Sequence, residues 1–282
     1  MANIRDLDPS ASPLDYYGSE LRRLREAANL KQAALGEIVF CTASLIGQVE
    51  TARKVPTRDF SERIDAALGT GGVFSRLVGL VLRSQLPSWF QAYAEMEARA
   101  THISSFQPQL VYGLLQTEAY ARAVLKAGWG EKLDDAVAAR LERQRLLHRE
   151  RPPLVWVVLD EAVLHRPFGS PEIMREQLSR LLEFHDRREV RIQILPFSAG
   201  QHPATVGAFN VLRFEGDPDV VYAESYGSAH VTANPETASD CAHRYDHLQA
   251  AALSMEASAA LIARVREERY GDHPEPDGRA VA

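Results

Sequence analysis

Cysteine is almost missing from this sequence. Cys41 and Cys241 are the two it has, far apart along the chain, and they give no disulfide framework, which fits a reducing cytoplasm. Long apolar runs are missing as well. The longest are LVWVVL at 154–159 and VFSRLVGLVL at 73–82, the second interrupted by Arg76, and both fall short of the roughly 20 residues that cross a bilayer. The opening MANIRDLDPSASP has no apolar h-region, so no secretory signal is expected. There is no internal repeat. The SAGQH loop at 198–202 carries neither a GxGxxG nor a Walker pattern and reads as a turn between strands. Lysine nearly disappears after residue 87, where only Lys126 and Lys132 remain.

What is present is the composition of an ordinary globular chain, 45% hydrophobic and 25% charged over 282 residues, enough for one large domain or two ordinary ones. The net charge of −6 argues against a wholly basic nucleic-acid binder, but the charge is unevenly placed. Between Tyr17 and Arg83 ten Lys and Arg face seven Asp and Glu, which leaves the remainder acidic. A mildly basic head on an acidic body fits a DNA-reading module attached to something else. So weak a head needs a second copy to grip DNA, and a homodimer that doubles the phosphate contacts is expected.

The head is organised around Lys31–Pro56, KQAALGEIVFCTASLIGQVETARKVP. Leu35, Ile38 and Val39, then Leu45, Ile46 and Val49, recur at helical spacing and predict two short helices, about Gln32–Val39 and Thr42–Glu50, facing one small core. Thr42 is the expected N-cap of the second. That leaves Ala43, Ser44, Gly47 and Gln48 outward, short groups suited to a helix entering a major groove, with Gln48 able to pair bidentately with adenine. An earlier helix, Ser19–Ala28, would turn Leu21 and Leu24 inward and Arg22, Arg23 and Arg25 outward. A later one would run from a Thr57 cap to Gly69.

This stretch resembles the helix-turn-helix of Cro/C1-type regulators, the XRE-like, λ-repressor-like family. The matching residues are Leu21, Leu24-Arg25, Gln32, Leu35, Ile46, Val49-Glu50, Arg53-Lys54 and Pro56. The resemblance implies a domain of about five helices whose second motif helix enters the major groove, with Gln32 at phosphate and nearby bases. Base edges are then read by Thr42, Ala43, Ser44 and Gln48, and phosphates are held by Gln32, Arg53 and Lys54. Two positions depart from the family: Gly36 stands where Ala is usual, weakening a helix by about 1 kcal/mol, and Ala52 stands where Gly is usual, strained if the turn is left-handed.

From Ser88 the pattern changes to alternating strands and helices, with three strands (VRIQILPF, GAFNVLRF, VVYAES) in succession, which favours a mixed α+β domain. Helices are expected from Ser88, from Thr117 to Gly128, over Asp134–Arg149 and Pro171–His185, and from Asn234 and Ser254 onward. Strands are expected at THISSFQ and LVWVVLDEAVL. The order of the phrases SWFQAYAEMEA, GLLQTEAYARAVL, LDEAVLHRPFG, MREQLSRLLE, ILPFSAGQHPATVGAF and VVYAES is similar to the domain of unknown function that follows a Cro/C1-type head in actinobacterial regulators. That resemblance implies an antitoxin-like transcriptional regulator, often paired with a small protein encoded by a neighbouring gene, and no established chemistry. The expected division is a disordered N-terminus at 1–16, the helix-turn-helix domain at 17–72, a connector helix at 73–87 that either packs under the helices or joins the halves, the α+β domain at 88–270 and a disordered tail at 271–282.

Other groups carry side chains capable of chemistry. Asp160-Glu161, with Glu97 or Glu224, makes half of an acid/base or metal site, but a capped strand end explains it. His243 and His247, at i and i+4 near Cys241, lack a third metal ligand. Trp89, Phe90, Tyr93, Trp156, Phe197 and Phe209 read as core. Arg140, Arg143, Arg145 and Arg149, interleaved with Glu142 and Glu150, read as a solvated face. The expectation is therefore a cytoplasmic, homodimeric, sequence-specific DNA-binding regulator. It is not an enzyme and needs no cofactor or metal. Double-stranded promoter DNA and a small neighbouring-gene protein are its expected partners, and no membrane is expected to be involved. The alternatives are an interaction module that sequesters a toxin-like partner, and a hydrolase on a DNA-binding head.

Overall fold

The computed structural model describes residues 7–129, 132–225 and 228–271. The chain folds into two compact units. One holds the residues up to Gln91 and takes in Asp134–Glu142, and the other holds Ala92–Leu133 and the chain from Arg143 on.

The first unit is helical: α1 (Pro13–Ala27), α2 (Gln32–Ile38), α3 (Ala43–Glu50), α4 (Arg58–Leu68) and α5 (Val73–Ser84). α1 starts six residues before the expected Ser19, inside the stretch expected to be disordered. Ser12 caps it, its hydroxyl accepting from the Asp15 N–H at 3.0 Å, and Pro13 supplies a preset first turn. Residues 1–6 lie outside the described residues. Leu35, Val39, Ile46 and Val49 are buried with Tyr17 and Leu21 in one core. Ile38 is not: it is half exposed, because Leu35 and Val39 occupy the inward row of so short a helix. Thr57 and Gly69 bound α4 as expected, the glycine in the left-handed conformation. α5 belongs to this core through Phe74, Val78 and Val81. Its first turn is held by Asp65 of α4, whose carboxylate accepts from the N–H groups of Phe74 (2.9 Å) and Ser75 (2.8 Å).

The second unit is built on one six-stranded mixed sheet in the order β3-β2-β1-β4-β5-β6. β1 (His102–Gln107), β2 (Leu154–Asp160) and β3 (Val190–Leu195) are parallel, while β4 (Phe209–Arg213), β5 (Val220–Ser225) and β6 (Ser228–Thr232) are antiparallel. Crossovers between the parallel strands carry α7 (Glu118–Trp129) and α8 (Leu133–Gln144), then α9 (Ala162–His165) and α10 (Pro171–Glu183); α6 (Ser88–Arg99) precedes β1. One sheet face, with Phe106, Val158, Val211 and Val221, packs on α11 (Pro235–Ala251) through Tyr245 and Leu248. α12 (Met255–Tyr270) packs on α10 and β3.

The fold class is thus the expected one, a helical head followed by an α+β region. In the later part of the chain two boundaries differ and one strand is additional. β2 stops at Asp160 and the expected strand residues Ala162–Leu164 are helical, the Asp160 carboxylate accepting from the Ala162 N–H at 2.8 Å. Regular helix in the charged segment ends at Gln144, not Arg149. β6, a half-exposed edge strand, was not foreseen. Of the expected tail, residues 272–282 lie outside the described residues.

Candidate nucleic-acid interface

α2 and α3 meet at 111°, the crossing of a helix-turn-helix pair. Gly36 allows it. A Cβ there would stand 2.7 Å from the Cys41 carbonyl oxygen and 3.3 Å from the Ala43 nitrogen, closer than packed atoms approach, so an Ala would require the turn backbone to shift. Gly18 plays the same part between α1 and the end of α3, where a Cβ would sit 2.6 Å from the Val49 oxygen. Besides Asn29 at φ 57° in the turn before α2, two residues adopt left-handed backbone without being glycine: Phe40 at φ 55° and Ala52 at φ 54°. The strain anticipated for Ala52 is therefore present, and each position costs about 1 kcal/mol.

α3 turns the expected side outward. Thr42 caps it, its hydroxyl accepting from the Leu45 N–H at 3.1 Å. Thr42, Ala43, Ser44 and Gln48 are exposed while Ile46 and Val49 are buried. The Gln48 amide donates to the Ser44 hydroxyl at 3.4 Å. The basic loop folds back on the helix through the Arg53 N–H to the Gln48 oxygen at 2.9 Å. Arg53 is exposed, and Lys54 is half exposed with its ammonium 3.9 Å from Asp134.

What fixes α3 against the other helices is a buried polar cluster. Arg25, expected outward, is buried. Its guanidinium forks onto the Glu50 carboxylate, with Nη2 to Oε2 at 3.1 Å, and also donates to the Leu30 oxygen at 2.7 Å. Glu50 is wholly buried. Gln32 Nε2 donates to the same Oε2 at 2.8 Å. The hydrogen bond to Glu50 raises the Arg25 pKa above its ordinary value, so the guanidinium stays charged. α1, α2 and α3 are thereby tied at one point, and the Gln32 amide lies against Gly47, where a Cβ would meet its Oε1 at 3.3 Å. Arg25, Glu50 and Gly18 were not read from sequence as parts of a site; the one signal was that Arg25 and Glu50 both stand among the family's matching positions.

Comparison with known families agrees with this geometry. A helix-turn-helix domain model matches residues 17–74, and the model of a domain of unknown function, DUF5753, matches residues 90–264, more than half of the chain. The chain belongs to the DUF5753 family. A helix-turn-helix head on a DUF5753 region is the architecture that the resemblance implied, and the head marks a DNA-binding regulator. No curated protein and no solved structure matches the chain.

Within the DUF5753 region the groups weighed for chemistry are committed elsewhere. Asp160 caps α9, and Glu161 Oε2 accepts from the Phe197 N–H at 2.8 Å, with Oε1 3.5 Å from His165 Nε2. Glu97, offered as their partner, is buried instead with Arg143, which donates to both its oxygens at 2.9 Å. Tyr112 and Tyr93 also donate to it, at 2.6 and 3.0 Å, and Asn210 continues the network from Tyr93. Burial pushes both phenols well above the ordinary tyrosine pKa. Arg143 thus departs from the expected solvated face, since a charge is buried where a partner awaits it. Phe197, expected in the core, is exposed. His243 and His247 are both exposed on α11, and among the described residues no group of three or more His, Cys, Asp or Glu is placed to hold a metal.

Among the described residues no helix is long and apolar enough to cross a membrane.

Proposed function

We propose that this chain is a cytoplasmic, sequence-specific transcriptional regulator that binds promoter DNA as a homodimer. α3 lies in the major groove, where Thr42, Ala43, Ser44 and Gln48 meet base edges. Gln32, Arg53 and Lys54 hold the flanking phosphates. Gln32 is suited to this because one amide N–H is anchored on Glu50 and the second remains to donate. The DUF5753 region, in this reading, carries the dimer contact and receives a signal from a small ligand or a small protein partner. It does so without catalysis, since its acidic pair is engaged with backbone N–H groups.

The observation that carries the proposal is the pairing of an exposed, small and polar α3 face with a buried cluster that fixes its angle. The test is a fluorescence titration of the full chain against its own promoter duplex and a scrambled duplex over a range of salt. Tight binding to the promoter alone, weakening linearly with log salt, is expected. Equal affinity for both duplexes would remove sequence-specific regulation.

A further inference from the structure

We propose that α3 selects A·T pairs and not G·C pairs at the centre of each half-site. The inference rests on the reading of α3 as the groove helix and names what it recognises.

The exposed face of α3 offers Thr42, Ala43, Ser44 and Gln48. None is a cation, and the one acidic residue of the helix, Glu50, is wholly buried under Arg25 and Gln32. In the major groove guanine is read by the fork or ammonium of Arg or Lys, and cytosine by a carboxylate. Neither reader is present on this face. Arg53 lies beyond the end of α3, in a loop turned back onto Gln48 and off this face.

What the face does offer matches adenine and thymine. Gln48 uses one amide N–H on Ser44 Oγ. That contact holds the amide plane and leaves one N–H and the carbonyl oxygen, the donor and acceptor that adenine N7 and N6 require. At the start of the helix Ala43 presents only a methyl group. The hydroxyl oxygen of Thr42 is occupied as the cap. Short apolar groups of this kind suit the thymine C5-methyl. Ala43 and Gln48 are five positions apart, about 7.5 Å along the axis at 1.5 Å per residue, far enough to meet different base pairs. The selected core is therefore a thymine and an adenine on different base pairs, repeated with opposite orientation in the second half-site.

The experiment is selection from a random duplex library by the purified full chain, run in parallel with Gln48→Ala and Gln48→Arg. Both changes are at an exposed position, so the fold is retained. The wild type is expected to enrich paired half-sites with an A·T core. Gln48→Ala is expected to lose the preference at one adenine, with roughly 5- to 150-fold weaker binding to the wild-type duplex, and Gln48→Arg to exchange that adenine for guanine. A core specified by G·C in the wild type, or an A·T core that neither substitution alters, overturns this inference while leaving the DNA-binding reading in place. Enrichment of no sequence at all overturns the sequence-specific reading, and this inference with it.

Discussion

Glu50 has no exposed surface and makes three hydrogen bonds through its carboxylate, two from Arg25 and one from Gln32. Removing one partner of such a pair strands a buried charge. Glu50→Ala is expected to destabilise the helical unit by about 3–5 kcal/mol, read as an earlier first transition in denaturant unfolding. Ala52→Gly should act in the opposite sense and raise stability by about 1 kcal/mol, because it relieves a left-handed backbone at φ 54°. Asp65 gives the pH dependence. Burial pushes its carboxyl pKa up, but hydrogen bonds from Ser75, Thr70 and the N–H groups of Phe74 and Ser75 outweigh this and hold it below the ordinary value. The folded state therefore favours the ionised form. Its contribution is complete above about pH 4 and is lost as pH falls through the folded-state value, so Asp65→Asn should flatten the acid limb of a stability-against-pH curve. At this scale the sequence was legible only in part. Leu35, Ile46 and Val49 announced themselves by spacing. Arg25 did not, because a charge is assigned outward until its partner, 25 residues away, is known.

At the scale of the element, α2 shows why a glycine read from propensity alone is misjudged. Helix propensity alone makes Gly36 a defect, but the carbonyl of Cys41 occupies the space of its missing side chain. Gly36→Ala should therefore cost about 1–3 kcal/mol by overpacking, checked by thermal unfolding, where propensity alone would predict a gain. The caps were easier to see: Thr42 and Thr57 each accept from the backbone three residues on, a short-range pattern written in adjacent residues. β6 was hidden for the converse reason. It is an edge strand with little buried surface, so no apolar alternation marks it.

At the scale of the molecule, the long-range pairs matter. Residues 134–142 of α8 fold with the helical unit, where Glu142 takes Arg58 and Ala138 reaches the core. No local pattern could announce this, since Arg58 and Glu142 are 84 positions apart. The overall class was legible because composition and element order carry it: a helical head, then parallel and antiparallel strands in one sheet. For binding, the weak positive charge of the head makes each phosphate contact count. Lys54→Gln is expected to lower the slope of log affinity against log salt by about two for a homodimer and about one for a monomer, which makes the same titration a count of the copies on the duplex.

The most direct measurement of the central claim is hydrogen exchange of the full chain with and without its promoter duplex, followed peptide by peptide. If α3 lies in the groove, exchange slows at the end of α3 and in the basic loop, around Gln48 to Lys54. Protection there is lost in Gln48→Ala at matched concentration. Unchanged exchange over these residues, with protection appearing only in the DUF5753 region, would contradict the placement of α3 on DNA.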